Sequence, residues 1–203
     1  MNAQKWVAIW GSSPSIAEPH PARYAKDITL RYVLRAMLDG EKLRLHLSNL
    51  GGHEDVVIPR VYVAPVTQGS DTDESRMLPV TFGGDFACRM AAFFAEGDFA
   101  ACSQLDPFYT APLNIFYFLT GVDALCSEDC HALVCFGDSI TAQSWPDYLM
   151  LRVLRDGPEN LSVIRRGIGG SRVLRSYQHV LIRHYGQKGA DRFEREVAAA
   201  GAD

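Results

Sequence analysis

A serine stands at a sharp turn in the second half of the chain, among residue types that suit nucleophilic catalysis. Gly137-Asp138-Ser139-Ile140 follows a short apolar run at residues 132–136 and precedes helical sequence. A serine on such a turn acts as a nucleophile when a base takes its proton and backbone N–H groups bind the developing oxyanion. Gly-Asp-Ser alone is a common turn, in which Asp138 and Ser139 merely cap the backbone. The neighbouring segments therefore decide its interpretation.

A second glycine-rich loop follows another apolar run, at residues 161–164. In Gly167-Ile168-Gly169-Gly170, the glycines let backbone amides approach a reacting carbonyl because no side chain stands in the way. Dinucleotide binding is excluded, since Arg172 stands where a third glycine is required and no acidic ribose partner is placed. The α/β-hydrolase elbow is excluded as well, because Thr141 stands where that motif has glycine.

Two strands and a helix must bring these loops together. The runs at 132–136 and 161–164 are continuously apolar, which indicates strands buried on both faces. Between them a helix begins near Ser144, with proline and aspartate in its first turn. Strand, helix and strand in this order favour a parallel sheet, whose carboxyl edge is where open α/β sheets bind ligands. A last helix, from Ala190, carries Phe193 and Val197 on one side.

The first 120 residues have a different pattern, with apolar residues recurring at period two. The clearest predicted strand is 42–47, and the polar stretch 68–75 is predicted to be an exposed loop. Further strands are expected at residues 29–37, 56–58, 61–63, 78–82 and 113–119. The predicted fold class is therefore a two-domain α+β protein. Residues 1–125 are expected to form an antiparallel β-sandwich-like domain, and residues 131–203 to begin an α/β domain with a parallel sheet.

Four segments in this order resemble the SGNH or GDSL hydrolases. They are residues 134–141, 145–149, 166–174 and 190–197. The first part of the chain is more loosely similar to the β domain that precedes the catalytic domain in some members. The resemblance implies that Ser139 is the nucleophile, and that its own amide and the amide of Gly170 form part of the oxyanion hole. It also implies that the α/β domain is flavodoxin-like and truncated. The implied reaction is hydrolysis of carboxylic esters, acyl or acetyl, including those on carbohydrates, without a metal or cofactor.

Two segments of the family pattern do not occur in this sequence. Gly-x-Asn-Asp supplies an asparagine to the oxyanion hole, and Asp-x-x-His supplies the base; none of the six histidines has an aspartate three residues earlier. Glu128 stands three residues before His131, but this pair is expected at the opposite edge of the sheet from Ser139. His179 and His184 follow the second glycine loop and are the histidines that can approach Ser139, but exposed positions on a helix surface are expected for them. We therefore expect a truncated hydrolase that is inactive or nearly so.

An alternative from another class is a noncatalytic module, in which the β domain binds a carbohydrate or a protein on a degenerate hydrolase scaffold. Trp6, Trp10 and Tyr24 have the side chains to stack on sugars, although aromatic residues early in a β domain are more often core. A zinc site at Cys126, Cys130 and His131 is not expected, because a second ligand pair is missing.

Composition and charge indicate which binding partners and which cellular compartment are expected for this protein. A net charge of -4, without a run of Lys or Arg, disfavours nucleic acid. No secretion signal and no apolar stretch of membrane-spanning length is visible, and five scattered cysteines suit buried free thiols, so a cytoplasmic protein is expected. The expected partner is a small-molecule or carbohydrate ester, and the unpaired edge of a cut sheet favours self-association.

Overall fold

A computed structural model describes residues 3–14, 28–50, 55–82, 85–86, 91–96, 111–112, 118–176 and 186–198. Within them the protein is mixed α+β, with several small sheets, most of them antiparallel, and two α-helices. Neither of these helices is long and apolar enough to cross a membrane. The chain divides into two compact units. The first comprises Met1–Pro19, Arg35–Gly52 and Tyr117–Asp203, and the second comprises His20–Leu34 and His53–Phe116.

The elements are numbered in chain order. They are β1 (Gln4–Gly11), β2 (Ile28–Arg31), β3 (Leu43–Leu47), β4 (Val61–Val63), β5 (Val66–Gln68), β6 (Asp71–Thr72), β7 (Leu78–Phe82), β8 (Asp85–Phe86), β9 (Ala91–Glu96), β10 (Ala111–Pro112), β11 (Leu119–Ser127), β12 (His131–Gly137), α1 (Trp145–Asp156), β13 (Leu161–Gly167) and α2 (Gly189–Glu196). A short 3₁₀ turn at Glu74–Arg76 precedes β7.

The first unit contains a parallel pair of strands and an antiparallel sheet. Strands β12 and β13 pair in parallel from His131↔Leu161 to Gly137↔Gly167, and α1 connects them. The predicted strand–helix–strand order and the parallel pairing are therefore confirmed. In the antiparallel sheet, β11 lies between β1 and β3, so segments from both ends of the predicted β region pair with one another.

Both faces of the β12–β13 pair are covered. On one face, Ile164 and its half-buried neighbours pack against Ala8 of β1. The buried Ser162 hydroxyl on that face donates a hydrogen bond to the Ala8 carbonyl. On the other face, Cys135 and Val163 pack with Met37 and with three apolar residues of α1, namely Leu149, Met150 and Val153. The apolar side of α1 thus packs on the sheet.

Arg166 joins the two sheets of the first unit. It projects from β13, and its Nη1 donates to the carbonyl oxygens of Ser12 at 2.7 Å and Thr120 at 2.6 Å. These carbonyls adjoin the ends of β1 and β11, so a single buried guanidinium connects three strands. The compact units accordingly do not follow the predicted boundary between residues 125 and 131, because the first unit takes strands from both sides of it.

The second unit contains β2, β9 and β10 in one antiparallel sheet and β4, β7 and β8 in another. The stretch 68–75 is not the predicted loop, since β5 and β6 form a small hairpin around Gly69, whose φ is +57°. This hairpin is attached to β2, because Arg31 Nη1 donates to the Ser70 carbonyl at 2.8 Å.

The predicted strand at 29–37 ends at Arg31 in the structure. The physical reason is that the chain leaves the second unit after Leu34, and Met37 packs in the core of the first. Residues 56–58 form no strand, whereas the predicted strands 42–47, 61–63 and 78–82 are present as β3, β4 and β7. Of the predicted strand at 113–119, residues 113–117 lie outside the described part of the chain.

Candidate functional site

The serine turn begins where β12 ends. Asp138 organises it, because its carboxylate accepts a hydrogen bond from the Ile140 amide at 2.9 Å and its carbonyl accepts one from the Ala142 amide at 2.9 Å. Ser139 lies between these bonds with its side chain exposed. Short aspartate side chains commonly stabilise turns in this way. The turn therefore presents Ser139 to solvent at the carboxyl end of a parallel strand.

The glycine loop begins where β13 ends, at the same edge of the sheet. The Ser171 amide donates to the Ile168 carbonyl at 3.1 Å, which closes a turn over Gly169 and Gly170. Gly170 has a φ of +73°, in the left-handed region that favours glycine. The backbone of this turn therefore requires the glycine whose amide the resemblance assigns to the oxyanion hole.

The serine turn and the glycine loop pack backbone against backbone. The Ile168 amide donates to the Gly137 carbonyl at 3.1 Å. A Cβ on Gly167 would lie 2.2 Å from the Ala142 amide nitrogen, and one on Gly137 would lie 2.2 Å from Thr141 Oγ1. Both distances are far below any real carbon contact, so side chains are excluded at both positions.

No protein-family model matches the chain, and no curated protein matches it.

A buried arginine that the sequence analysis did not single out connects the ends of both strands. Arg192 of α2 is fully buried, and its Nη1 donates to the Arg166 carbonyl at 3.0 Å. Its Nη2 donates to the Gly137 carbonyl. Its Nε lies 3.4 Å from Ser171 Oγ, and the guanidinium stacks over the Phe136 ring at 4.0 Å from the centroid. One side chain thus contacts the ends of both strands, directly before the serine turn and the glycine loop, and also Ser171, which follows the glycine loop.

Glu196, one helical turn later, neutralises this arginine. Its Oε2 lies 2.6 Å from Arg192 Nη1 and accepts a hydrogen bond from the Ser13 hydroxyl, while its Oε1 accepts one from Arg195 at 2.8 Å. Arg192 is 0% exposed and Glu196 1% exposed, whereas Phe193 is 50% exposed. The buried side of α2 is therefore the charged one. The signal in the sequence was the i,i+4 spacing of opposite charges, which usually indicates a solvent-exposed pair.

The histidines do not supply a base among the described residues. His131 begins β12, so a strand of roughly 20 Å separates it from the serine turn, as expected. His46 lies on β3, with its Nε2 2.6 Å from Asp123 Oδ2. His179 and His184 lie outside the described residues. His46 is therefore engaged by Asp123, and His131 lies at the opposite end of β12 from the serine turn.

Asp123 is the centre of a second charged cluster, on the β3–β11 pair. Arg44 donates to its carboxylate through Nε at 3.0 Å and Nη2 at 2.6 Å, in addition to the contact with His46. Burial by itself raises the pKa of Asp123, but the hydrogen bonds from His46 and Arg44 outweigh burial and hold the pKa below its ordinary value. The Arg44 guanidinium also lies 4.6 Å from the centroid of the Trp6 ring.

Three cysteines of the first unit, Cys126, Cys130 and Cys135, are buried free thiols. Burial, with Cys130 nearby, raises the pKa of Cys126 to about 11. Among the residues that the structure describes, no group of three or more His, Cys, Asp or Glu side chains is placed to hold a metal ion. Cys88 and Cys102 lie outside those residues.

Proposed function

We propose that this protein is a serine ester hydrolase of the SGNH or GDSL type, acting on carboxylic esters with acyl or acetyl groups, including those on carbohydrates. Ser139 is the nucleophile, and the amides of Ser139 and Gly170 donate to the oxyanion. The observation that supports this proposal is the in-register parallel pairing of Gly137 with Gly167, which brings the exposed serine turn and the glycine loop to one sheet edge.

Such a hydrolase has a flavodoxin-like α/β domain that contains β12, α1 and β13, preceded by an antiparallel sandwich-like β domain. The β12–α1–β13 order supports the first assignment. The small antiparallel sheets of the N-terminal part support β structure in the second.

The reaction begins when Ser139 Oγ attacks the ester carbonyl and the alcohol leaves, which forms an acyl-serine that water then hydrolyses. The serine proton needs an acceptor. The sequence has neither the Asp-x-x-His segment nor the Gly-x-Asn-Asp segment, so turnover is slow, reduced on the order of a thousandfold or more. A small base in solution, such as imidazole, accepts the proton in place of a histidine side chain.

The test is hydrolysis of p-nitrophenyl acetate by the purified chain over a range of imidazole concentrations, with Ser139→Ala beside it. Ser144→Ala is the matched control, because Ser144 is also exposed and its side chain makes no capping hydrogen bond to α1. Imidazole alone also hydrolyses this ester, so its protein-free rate is subtracted. We expect the remaining nitrophenol release to rise with imidazole, to persist in Ser144→Ala and to be lost in Ser139→Ala. Equal rates in the chain and in Ser139→Ala at every imidazole concentration would overturn the proposal.

That contrary outcome would favour the noncatalytic binding module. Of its proposed sugar-stacking residues, Trp6 has the guanidinium of Arg44 over its ring. That face is therefore occupied by a cation rather than open to a sugar. Tyr24 lies outside the described residues.

A further inference from the structure

We infer that Arg192 is a positioning residue, which holds the serine turn and the glycine loop in the relative geometry that oxyanion binding needs. The inference rests on the proposed function for the chemistry of the two loops, and on contacts alone for the role of Arg192. Arg192 contacts the carbonyl groups of Gly137 and Arg166. Gly137 precedes Asp138 and Ser139, and Arg166 precedes the glycine loop.

The Gly137 carbonyl is shared between three elements. It accepts from Arg192 Nη2 and also from the Ile168 amide at 3.1 Å. Because a carbonyl oxygen has two lone pairs, these two donors fill its capacity. A shift of the Gly137 carbonyl therefore moves the start of the glycine loop together with the serine turn. Arg192 thus acts on both loops through one acceptor atom.

A second contact reaches the far side of the glycine loop. Ser171 follows Gly170, and its hydroxyl lies 3.4 Å from Arg192 Nε while it donates to the Gln187 carbonyl at 2.6 Å. Gln187 lies two residues before α2 and next to Gly186, whose backbone lies against Gly170. Arg192 and the residues before its helix therefore contact Gly170 and the residue that follows it.

The guanidinium itself has little freedom to move. Glu196 and Ser13 bind it from one side, the Phe136 ring lies beneath it, and the two charged groups are buried together. A buried ion pair resists separation because neither charge can be hydrated. The planar fork of arginine bonds two carbonyls at fixed angles, which a lysine ammonium cannot reproduce as a point charge. The arrangement therefore specifies arginine rather than any cation.

The experiment compares Arg192→Lys with Arg195→Lys in the full chain. Arg195 lies on the same helix and also bonds Glu196, but it is half-exposed and makes no described contact with either loop. The readouts are the backbone amide resonances of Ser139 and Gly170, and the Ser139-dependent hydrolysis of p-nitrophenyl acetate in imidazole. We expect Arg192→Lys to shift both resonances and to lower kcat about tenfold or more with little change in KM. Arg195→Lys is expected to change neither.

A folded Arg192→Lys protein with unshifted Ser139 and Gly170 amides would overturn the inference, whatever its activity. Shifted amides in a chain without Ser139-dependent hydrolysis would support the positioning role while the proposed function fails. If Arg192→Lys does not fold, hydrogen exchange in the unsubstituted chain tests the inference instead. Protected Nη protons on Arg192, beside fast exchange on Arg195, support the inference, and fast exchange on both contradicts it.

Discussion

Gly167 lies so close to Ala142 that a Cβ on the glycine would fall 2.2 Å from the alanine amide nitrogen. The obstructing atom belongs to the backbone, so no rotamer change relieves it. We expect Gly167→Ala to lower the free energy of unfolding by about 1–3 kcal/mol or more and to abolish Ser139-dependent hydrolysis, because the two loops must separate. Urea denaturation followed by circular dichroism measures the first effect.

The matched comparison for that prediction is Gly137→Ala, whose Cβ would meet the Thr141 side chain. Adding Thr141→Gly removes the obstruction and is expected to recover part of the lost stability. No side-chain substitution should rescue Gly167→Ala. A denaturation midpoint for Gly167→Ala equal to that of the unsubstituted chain would mean that the loops do not pack as described.

Because Arg192 and Glu196 are buried together, we predict that removing one partner strongly lowers the free energy of unfolding. Glu196→Gln leaves a buried guanidinium without a counter-charge, and we expect it to destabilise the fold by about 3–5 kcal/mol. Asp191→Asn is the control on the same helix, because Asp191 pairs with Lys188 at the surface and such pairs contribute about 1 kcal/mol or less. Equal effects of the two substitutions in chemical denaturation would argue against a buried pair.

Asp123 predicts a dependence of stability on pH. Because its pKa is lowered in the folded state, its contribution is fully present above the unfolded pKa of about 3.9 and is lost as the pH falls through the folded pKa. Asp123→Asn should therefore cost about 1–3 kcal/mol at pH 7, and this cost should shrink in acid below pH of about 4. Urea titrations across this range measure it. A cost that stays constant into acid would contradict the described pairing with Arg44 and His46.

We predict that the Cys126 thiol reacts slowly with alkylating reagents in the folded chain. Its pKa of about 11 leaves almost no thiolate at pH 8, and its side chain is buried. We expect iodoacetamide to modify it slowly in the folded chain and rapidly in urea, as followed by peptide mass mapping. Modification of Cys126 in the folded chain at the rate seen in urea would contradict its described burial.

Local pattern was enough to predict the elements that carry the site. Continuous apolar runs identified β12 and β13, and Ser144 with the proline after it identified the start of α1. The parallel pairing followed from their order. These predictions succeeded because each depends on residues that are close in sequence.

The pairing of the N-terminal strands could not be predicted in the same way. The β1–β11 pair joins segments more than a hundred residues apart, and nothing local in either segment specifies the partner. The apolar run of β1 is evident in the sequence, but by itself it does not identify the strands on which β1 packs. It is continuous because β1 pairs with β11 and also packs on the parallel strands through Ala8.

Arg192 was missed for a different physical reason. An arginine and a glutamate four residues apart on a helix normally form an exposed pair, so pattern analysis assigns them to the surface. Burial of the charged pair is compensated here, because the Arg166 and Gly137 carbonyls and the Ser13 hydroxyl accept further hydrogen bonds from the Arg192 guanidinium. These acceptors come from distant segments, and only the folded structure places them together.

The central claim is that Ser139 is a nucleophile, and trapping its acyl intermediate tests this most directly. The chain is mixed with p-nitrophenyl acetate and imidazole, quenched in acid and digested, and the acetylated residue is identified by mass spectrometry. We predict an acetyl group on Ser139 that is absent in Ser139→Ala and unaffected by Ser144→Ala. Acetylation that spares Ser139, or that is spread equally over exposed serines and lysines, would contradict the account.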